Sequence, residues 1–216
     1  MESDNPYFRP GYQGGFWEFR LSHYPSSILR DIYPLTRSEY RSANLARRAS
    51  YAYLIQTIEA SLTACEEAGV LLGESGPKTM RESFVVAGRL GLLPPNLGED
   101  LASLADLRNR VVHKNDQVDS KLVVYERLLG LITAGYGAYE AFMAFDLARL
   151  PIQAAPDRVV DREYVRAHIH RHLDDSSMQA KALRRLDRET RTPRYVIEPK
   201  RIKAFLRITQ KEKPRD

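Results

Sequence analysis

Only one cysteine, Cys65, stands in 216 residues. A lone thiol makes no disulfide within the chain, and the cysteine-rich zinc patterns are excluded. Long apolar runs are missing too. No stretch approaches the ~18 consecutive apolar residues of a membrane-spanning helix, so no membrane association is expected. The opening MESDNPYFRPGYQGGFWEF carries early acids and no unbroken apolar core, so it does not read as a secretory signal. Internal repeats are also missing. At 43% hydrophobic, the chain does not have the composition of a wholly disordered one. What remains is a globular protein expected in the cytoplasm, with room for one domain of ordinary size and a smaller appendage.

The formal net charge is +5, and it is unevenly spread. Residues 157–216 hold 17 Lys and Arg against 10 Asp and Glu, a surplus of seven. The remainder holds 16 against 18 and is close to neutral. A basic C-terminal region suits an anionic partner, RNA first among them, or else a solvated surface; charge alone weighs the two equally. Arg184, Arg185, Lys200 and Arg201 are the cations singled out there as RNA-binding candidates, together with His168 and His172.

Residues 1–42 are punctuated by Pro6, Pro10, Pro25 and Pro34 and by Gly11, Gly14 and Gly15. They read as a mostly irregular arm with one helix near 27–33. Its aromatics, among them Tyr7, Phe8, Tyr12, Phe16, Trp17 and Phe19, are too many for a freely solvated segment and are expected to pack on the body. Helices are predicted over about 42–72, 79–90, 97–114 and 118–150. Leu54, Ile58, Leu62 and Cys65 make the stripe of the first, which points to Cys65 as a small buried thiol. The last carries Val118, Leu122, Tyr125, Leu129, Ile132, Tyr136, Tyr139 and Met143 in alternating steps of four and three, a heptad seam that serves either as bundle core or as a dimer surface. The predicted fold is mainly α: an antiparallel helical bundle over 43–150, an irregular N-terminal arm over 1–42, and a small basic extension over 151–216. In the extension, 151–156 read as a linker, 161–190 as one or two charged helices and 194–208 as a strand pair or ribbon.

One residue breaks the pattern. Leu97, Leu101, Leu104 and Val111 form the inward stripe of the 97–114 helix, and the member missing from that series is Arg108. An arginine on an apolar stripe is costly unless it is paired or faces a cavity. Pairing to Glu82 or Asp106, or snorkelling to the rim, is the structural alternative. Asn109 and His113 share one helical face, four residues apart, close to where the helix should end. A guanidinium, an amide and an imidazole near one rim suit phosphodiester cleavage without a metal. An imidazole can take a proton from a ribose 2′-OH or return one to the leaving 5′-oxygen. Arginine's planar fork matches phosphate and the extra charge of the transition state. The amide can orient a phosphate oxygen. Arg108, Asn109 and His113 are therefore the catalytic candidates, with Glu82 and Arg110 as supporting ones. No cofactor and no metal is called for.

Here the sequence resembles a known family. Leu107-Arg-Asn-Arg-Val-Val-His113 is similar to the R-x4-H signature of HEPN domains. The longer stretch PKTMRESFVVAGRLGLLPPNLGEDLASLADLRNRVVHK, residues 77–114, resembles the HepT-like branch: an R-E-x-F helix, a G-L-L-P turn, then a Leu-rich helix running into R-N-x-x-V-H. The resemblance covers about 43–147. It implies a helical bundle, a homodimer with two such motifs across a shared cleft, and a metal-independent endoribonuclease of toxin–antitoxin or antiphage systems. It also implies a nucleotidyltransferase-fold antitoxin as partner, which can silence the toxin by transferring AMP to a tyrosine two residues after the histidine. That position here is Asn115, so this form of control is impossible in this chain. The alternative function is a non-catalytic HEPN module that binds RNA, a nucleotide or a protein partner.

Two further motifs carry less. The segment 73–79 has the flavour of a phosphate-binding loop, but its spacing is wrong and Pro77 removes a needed N–H. His168, His170 and His172 alternate, so only the outer two share a helical face. A solvated basic face is the favoured reading, an RNA-facing patch the second and a metal site the remotest.

Overall fold

In the computed structural model, residues 16–71, 79–113, 122–148 and 156–202 are described. Each stretch with apolar residues at helical spacing forms a helix. The elements are α1 (Phe16–Asp31), α2 (Arg37–Ser42), α3 (Asn44–Leu71), α4 (Met80–Arg89), α5 (Pro95–His113), α6 (Val123–Glu126), α7 (Leu128–Ala148), β1 (Arg158–Val160), α8 (Arg162–His172), α9 (Ser176–Arg188) and β2 (Tyr195–Ile197). The fold is mainly α, a helical bundle with, among the described residues, one small sheet of two antiparallel strands, Arg158 opposite Ile197 and Val160 opposite Tyr195.

The helices begin where local chemistry starts them. Thr36 caps α2 in a reciprocal box with Glu39. Thr79 accepts from the Glu82 N–H to start α4, and Asp161 and Asp175 each accept two backbone N–H bonds to start α8 and α9. Pro95 opens α5, where its missing N–H costs nothing. The turn between α4 and α5 needs Gly91, whose φ is 75°. Gly98 then lets the two helices close together: a Cβ there would lie 2.7 Å from the Phe84 carbonyl oxygen.

The core sits where α1, α3, α5 and α7 meet, around Ile28, Leu54, Ile58, Leu101, Ile132 and Phe142, all at most 1% exposed. Residues 131–138 of α7 are buried without a break, so this helix has no solvent face along that stretch. By length and composition Leu128–Phe145 is apolar enough to cross a membrane, and 83% of that window is covered by the rest of the protein. It is the central helix of the bundle. The expected heptad seam is therefore core: Leu129, Ile132, Tyr136 and Met143 are buried within the chain and offer no dimer surface. The predicted single helix is also interrupted at Arg127, between α6 and α7. Cys65 is buried as expected, and desolvation pushes its thiol pKa up.

The N-terminal region departs most from expectation. Instead of an irregular arm with one short helix, α1 runs from Phe16 through Pro25 to Asp31 and packs against α3 and α7. Leu21, Ile28, Leu29, Ile32 and Tyr33 are core residues. Proline removes one helical hydrogen bond, but its ring fits against a residue with no side chain: a Cβ at Gly135 would lie 2.6 Å from the Pro25 Cγ.

The basic extension is likewise part of the body. Charged helices appear as predicted, as α8 and α9. The expected ribbon within 194–208 is corrected: β2 covers only Tyr195–Ile197, pairs back to β1, and gives way to a helical turn at 199–202. Tyr195 is fully buried and its ring lies over Gly137 of α7, while its hydroxyl donates to Asp100 at 2.7 Å. Outside the described residues lie Tyr7, Phe8 and Tyr12, most of the 73–79 loop, Asn115, Val118, residues 151–155 of the predicted linker and residues 203–208.

Candidate functional site

The last two turns of α5 hold the candidates. Leu97 and Leu101 are fully buried and Leu104 nearly so, which orients the inward face of the helix. Arg108 continues that face. Its side chain is only 16% exposed, and its Nη2 donates to Glu59 Oε1 of α3 at 2.9 Å. The partner is thus an acid one helix away, and neither of the two expected. Glu82 serves the start of α4, where its backbone N–H meets Thr79, and Asp106 pairs with Arg81.

The remaining donors of Arg108 point along α5 and into the interior. Nη1 donates to Asn109 Oδ1 at 3.3 Å. Nε is buried and has no hydrogen-bond partner. Asn109, Arg110 and His113 are exposed. His113 is the final residue of α5, and among the described residues its imidazole has no hydrogen-bond partner. The structure therefore brings Arg108 and Asn109 together and sets the exposed imidazole on the last described turn of the same helix. A guanidinium that keeps a partly exposed edge can still take an anionic oxygen there, and an exposed imidazole can exchange protons with what docks beside it.

Glu59 was missed by sequence reasoning. It lies 49 residues before Arg108 in the chain and on a helix whose apolar stripe alone was read. The only signal in the sequence is its position one residue after Ile58, beside that stripe.

The candidates of the extension scatter. His168 is buried, 8% exposed, and so is not part of a solvated basic face. Its Nδ1 pairs with the Tyr164 carbonyl at 2.9 Å, and its ring stacks on Tyr164 at 4.3 Å. Its pKa is lowered to about 4, chiefly by burial, against the opposing effect of that backbone bond and with a smaller push from Arg171 and His172. His172 is partly buried beside Ser26. Arg185 is not available to RNA. It lies between the rings of Tyr33 and Tyr125, 4.5 and 3.9 Å from their centroids, and donates to the carbonyls of the same two tyrosines. Arg184 and Lys200 are exposed, and Arg201 is exposed and paired with Glu198 at 2.7 Å.

The family model described as "Ribonuclease HepT-like" matches residues 26–126, from the middle of α1 to the end of α6. No curated protein matches the chain.

Proposed function

Because the chain carries a domain of the HepT-like ribonuclease family across residues 26–126, we propose that it is an endoribonuclease that cleaves RNA without a metal, using Arg108, Asn109 and His113. The observation that carries this reading is the partly exposed guanidinium of Arg108, held on the inward face of α5 by Glu59, on the helix that carries an exposed imidazole at His113. In this reading Arg108 binds the scissile phosphate and stabilises the charge that builds on it. Asn109 orients a phosphate oxygen. His113 takes the 2′-OH proton or protonates the leaving 5′-oxygen, and a second copy of the chain supplies the complementary histidine across a two-fold axis. Arg110, exposed one residue further on, contacts backbone phosphate. The biological setting that fits is a toxin restrained by a nucleotidyltransferase-fold antitoxin, or a defence nuclease, acting in the cytoplasm. With Asn115 in place of a tyrosine, restraint works by covering the site.

The test is cleavage of a mixed-sequence RNA in EDTA. Arg108→Ala and His113→Ala are each expected to lower the rate by about 10²–10⁴-fold, the usual worth of a general acid–base group or a charge clamp. Full activity in both variants removes these residues from the reaction.

The Glu59 pair favours a second reading. An arginine that already has a carboxylate partner can be a scaffold, and the domain would then bind RNA or a protein without cutting. Intact RNA after long incubation, with binding that weakens steeply in salt, supports that alternative.

A further inference from the structure

A cavity of about 530 Å³ lies between α1, α7 and α8. Its size is that of a small-ligand site, several times what a bare phosphate fills. It is separate from the end of α5, and its α8 wall lies beyond residues 26–126, outside the matched family domain.

Its lining is selective. Three of the chain's five histidines border it, His23, His168 and His172. Arg30, Arg158 and Arg171 also line it, against the single carboxylate of Glu140, which accepts from the Tyr164 hydroxyl at 2.7 Å. Arg30 is tied to Asp31 at 2.7 Å. Arg171 has no carboxylate partner among the described residues; its Nη1 reaches only His168 Nε2, at 3.5 Å. The site therefore attracts anions. One wall is aromatic. Phe19 is 64% exposed, unusual for so large an apolar ring, and stacks on His23 at 5.1 Å with an interplanar angle of 11°. Hydroxyls line it as well: Ser26 Oγ meets the Tyr136 hydroxyl at 2.9 Å and His172 Nε2 at 3.5 Å.

A flat ring system, hydroxyl-binding groups and a phosphate-binding cation in one cavity match one chemical class. We propose that this cavity binds a nucleoside monophosphate, with the base on the Phe19–His23 face, the sugar along Ser26 and Tyr136, and the phosphate at Arg171. Stacking on an aromatic side chain tolerates any base, and the guanidinium recognises phosphate through its fork of N–H donors.

Titration calorimetry of the full chain with each of the four nucleoside 5′-monophosphates tests this. At least one is expected to bind, at least about tenfold more tightly than its nucleoside or inorganic phosphate, because each of those lacks one of the two anchors. Arg171→Ala and Phe19→Ala, both at exposed positions, are expected to weaken binding by about tenfold or more. Arg108→Ala should bind as the unaltered chain does while losing cleavage, which separates this site from the proposed nuclease site. Proton spectra of the unaltered chain give a readout independent of the variants: the ring signals of His23, His168 and His172 shift on addition of the ligand. No binding of any monophosphate, equal binding by Arg171→Ala, loss of binding in Arg108→Ala, or inorganic phosphate binding as well as the nucleotide overturns the proposal. So does a short RNA that binds more than about tenfold more tightly than the mononucleotide, which would make the cavity part of an RNA track.

Discussion

Glu59 and Arg108 are half of a decision about what α5 is for. The two side chains are 33% and 16% exposed, so their attraction is only partly screened. Glu59→Gln keeps an acceptor and removes the charge. The expected result is a loss of about 1 kcal/mol of stability in urea titration, together with a fall of about tenfold in cleavage, because the guanidinium loses its fixed pose. A variant that loses stability and keeps its full rate makes the pair a scaffold. Sequence spacing was enough to mark Arg108 as out of place among leucines. It could not supply the partner, because a salt bridge across two helices leaves no periodic trace in either one. His168 makes a second residue-scale prediction. Its folded pKa, about 4, lies below the ordinary imidazole value of 6.5. The unfolded chain therefore binds the extra proton more readily, and the stability from this group is complete above about pH 6.5 and is lost as pH falls toward 4. Thermal melts at pH 7 and pH 4.5 should differ less in His168→Phe than in the unaltered chain. An equal drop in both assigns the acid sensitivity to other groups.

At the scale of elements, helical periodicity located α3, α4 and α5 to within a few residues because each shows an apolar face and a defined stop. It missed most of α1. Pro25, Pro34 and the glycines before Phe16 look like loop punctuation, and what keeps Pro25 inside a helix is a glycine on a partner over a hundred residues later. The strand partner was missed for a similar reason: β1 is three residues long, too short for alternation to register. Docking of α9 depends on Arg185. Its guanidinium is desolvated between two tyrosine rings and satisfied by two carbonyls, an arrangement that needs a planar group. Arg185→Lys is expected to cost about 2–3 kcal/mol in denaturant titration, nearly as much as Arg185→Ala. Recovery of most of the stability by lysine would show that charge alone holds the helix.

For the whole molecule, the surplus of positive charge was a poor guide to exposure. Many cations of the C-terminal region are internal ties: Arg162 to the Glu189 carbonyl and Thr192, Arg166 to Asp187, Lys181 to Glu39 and Arg185 to the two tyrosines. Counting charges cannot separate ties from surface. The same packing bears on how the chain divides. With α1 on one side of α7 and Tyr195 on another, a fragment of residues 43–150 is stripped of both covers. It is expected to lose cooperative unfolding by circular dichroism and to aggregate, whereas residues 16–202 should melt in one transition. A sharp, reversible melt of the short fragment would make the flanking elements accessories.

The unbroken buried stretch 131–138 of α7 cannot be the meeting place of two copies. Any self-association must use what the bundle turns outward, and α4 and α5 do present bare apolar side chains there, Val85 at 48% and Val112 at 38% exposure. Val112 is the immediate neighbour of His113. Two molecules that met at Val112 would join at the very helix that carries the imidazole, so assembly and chemistry would share a single border.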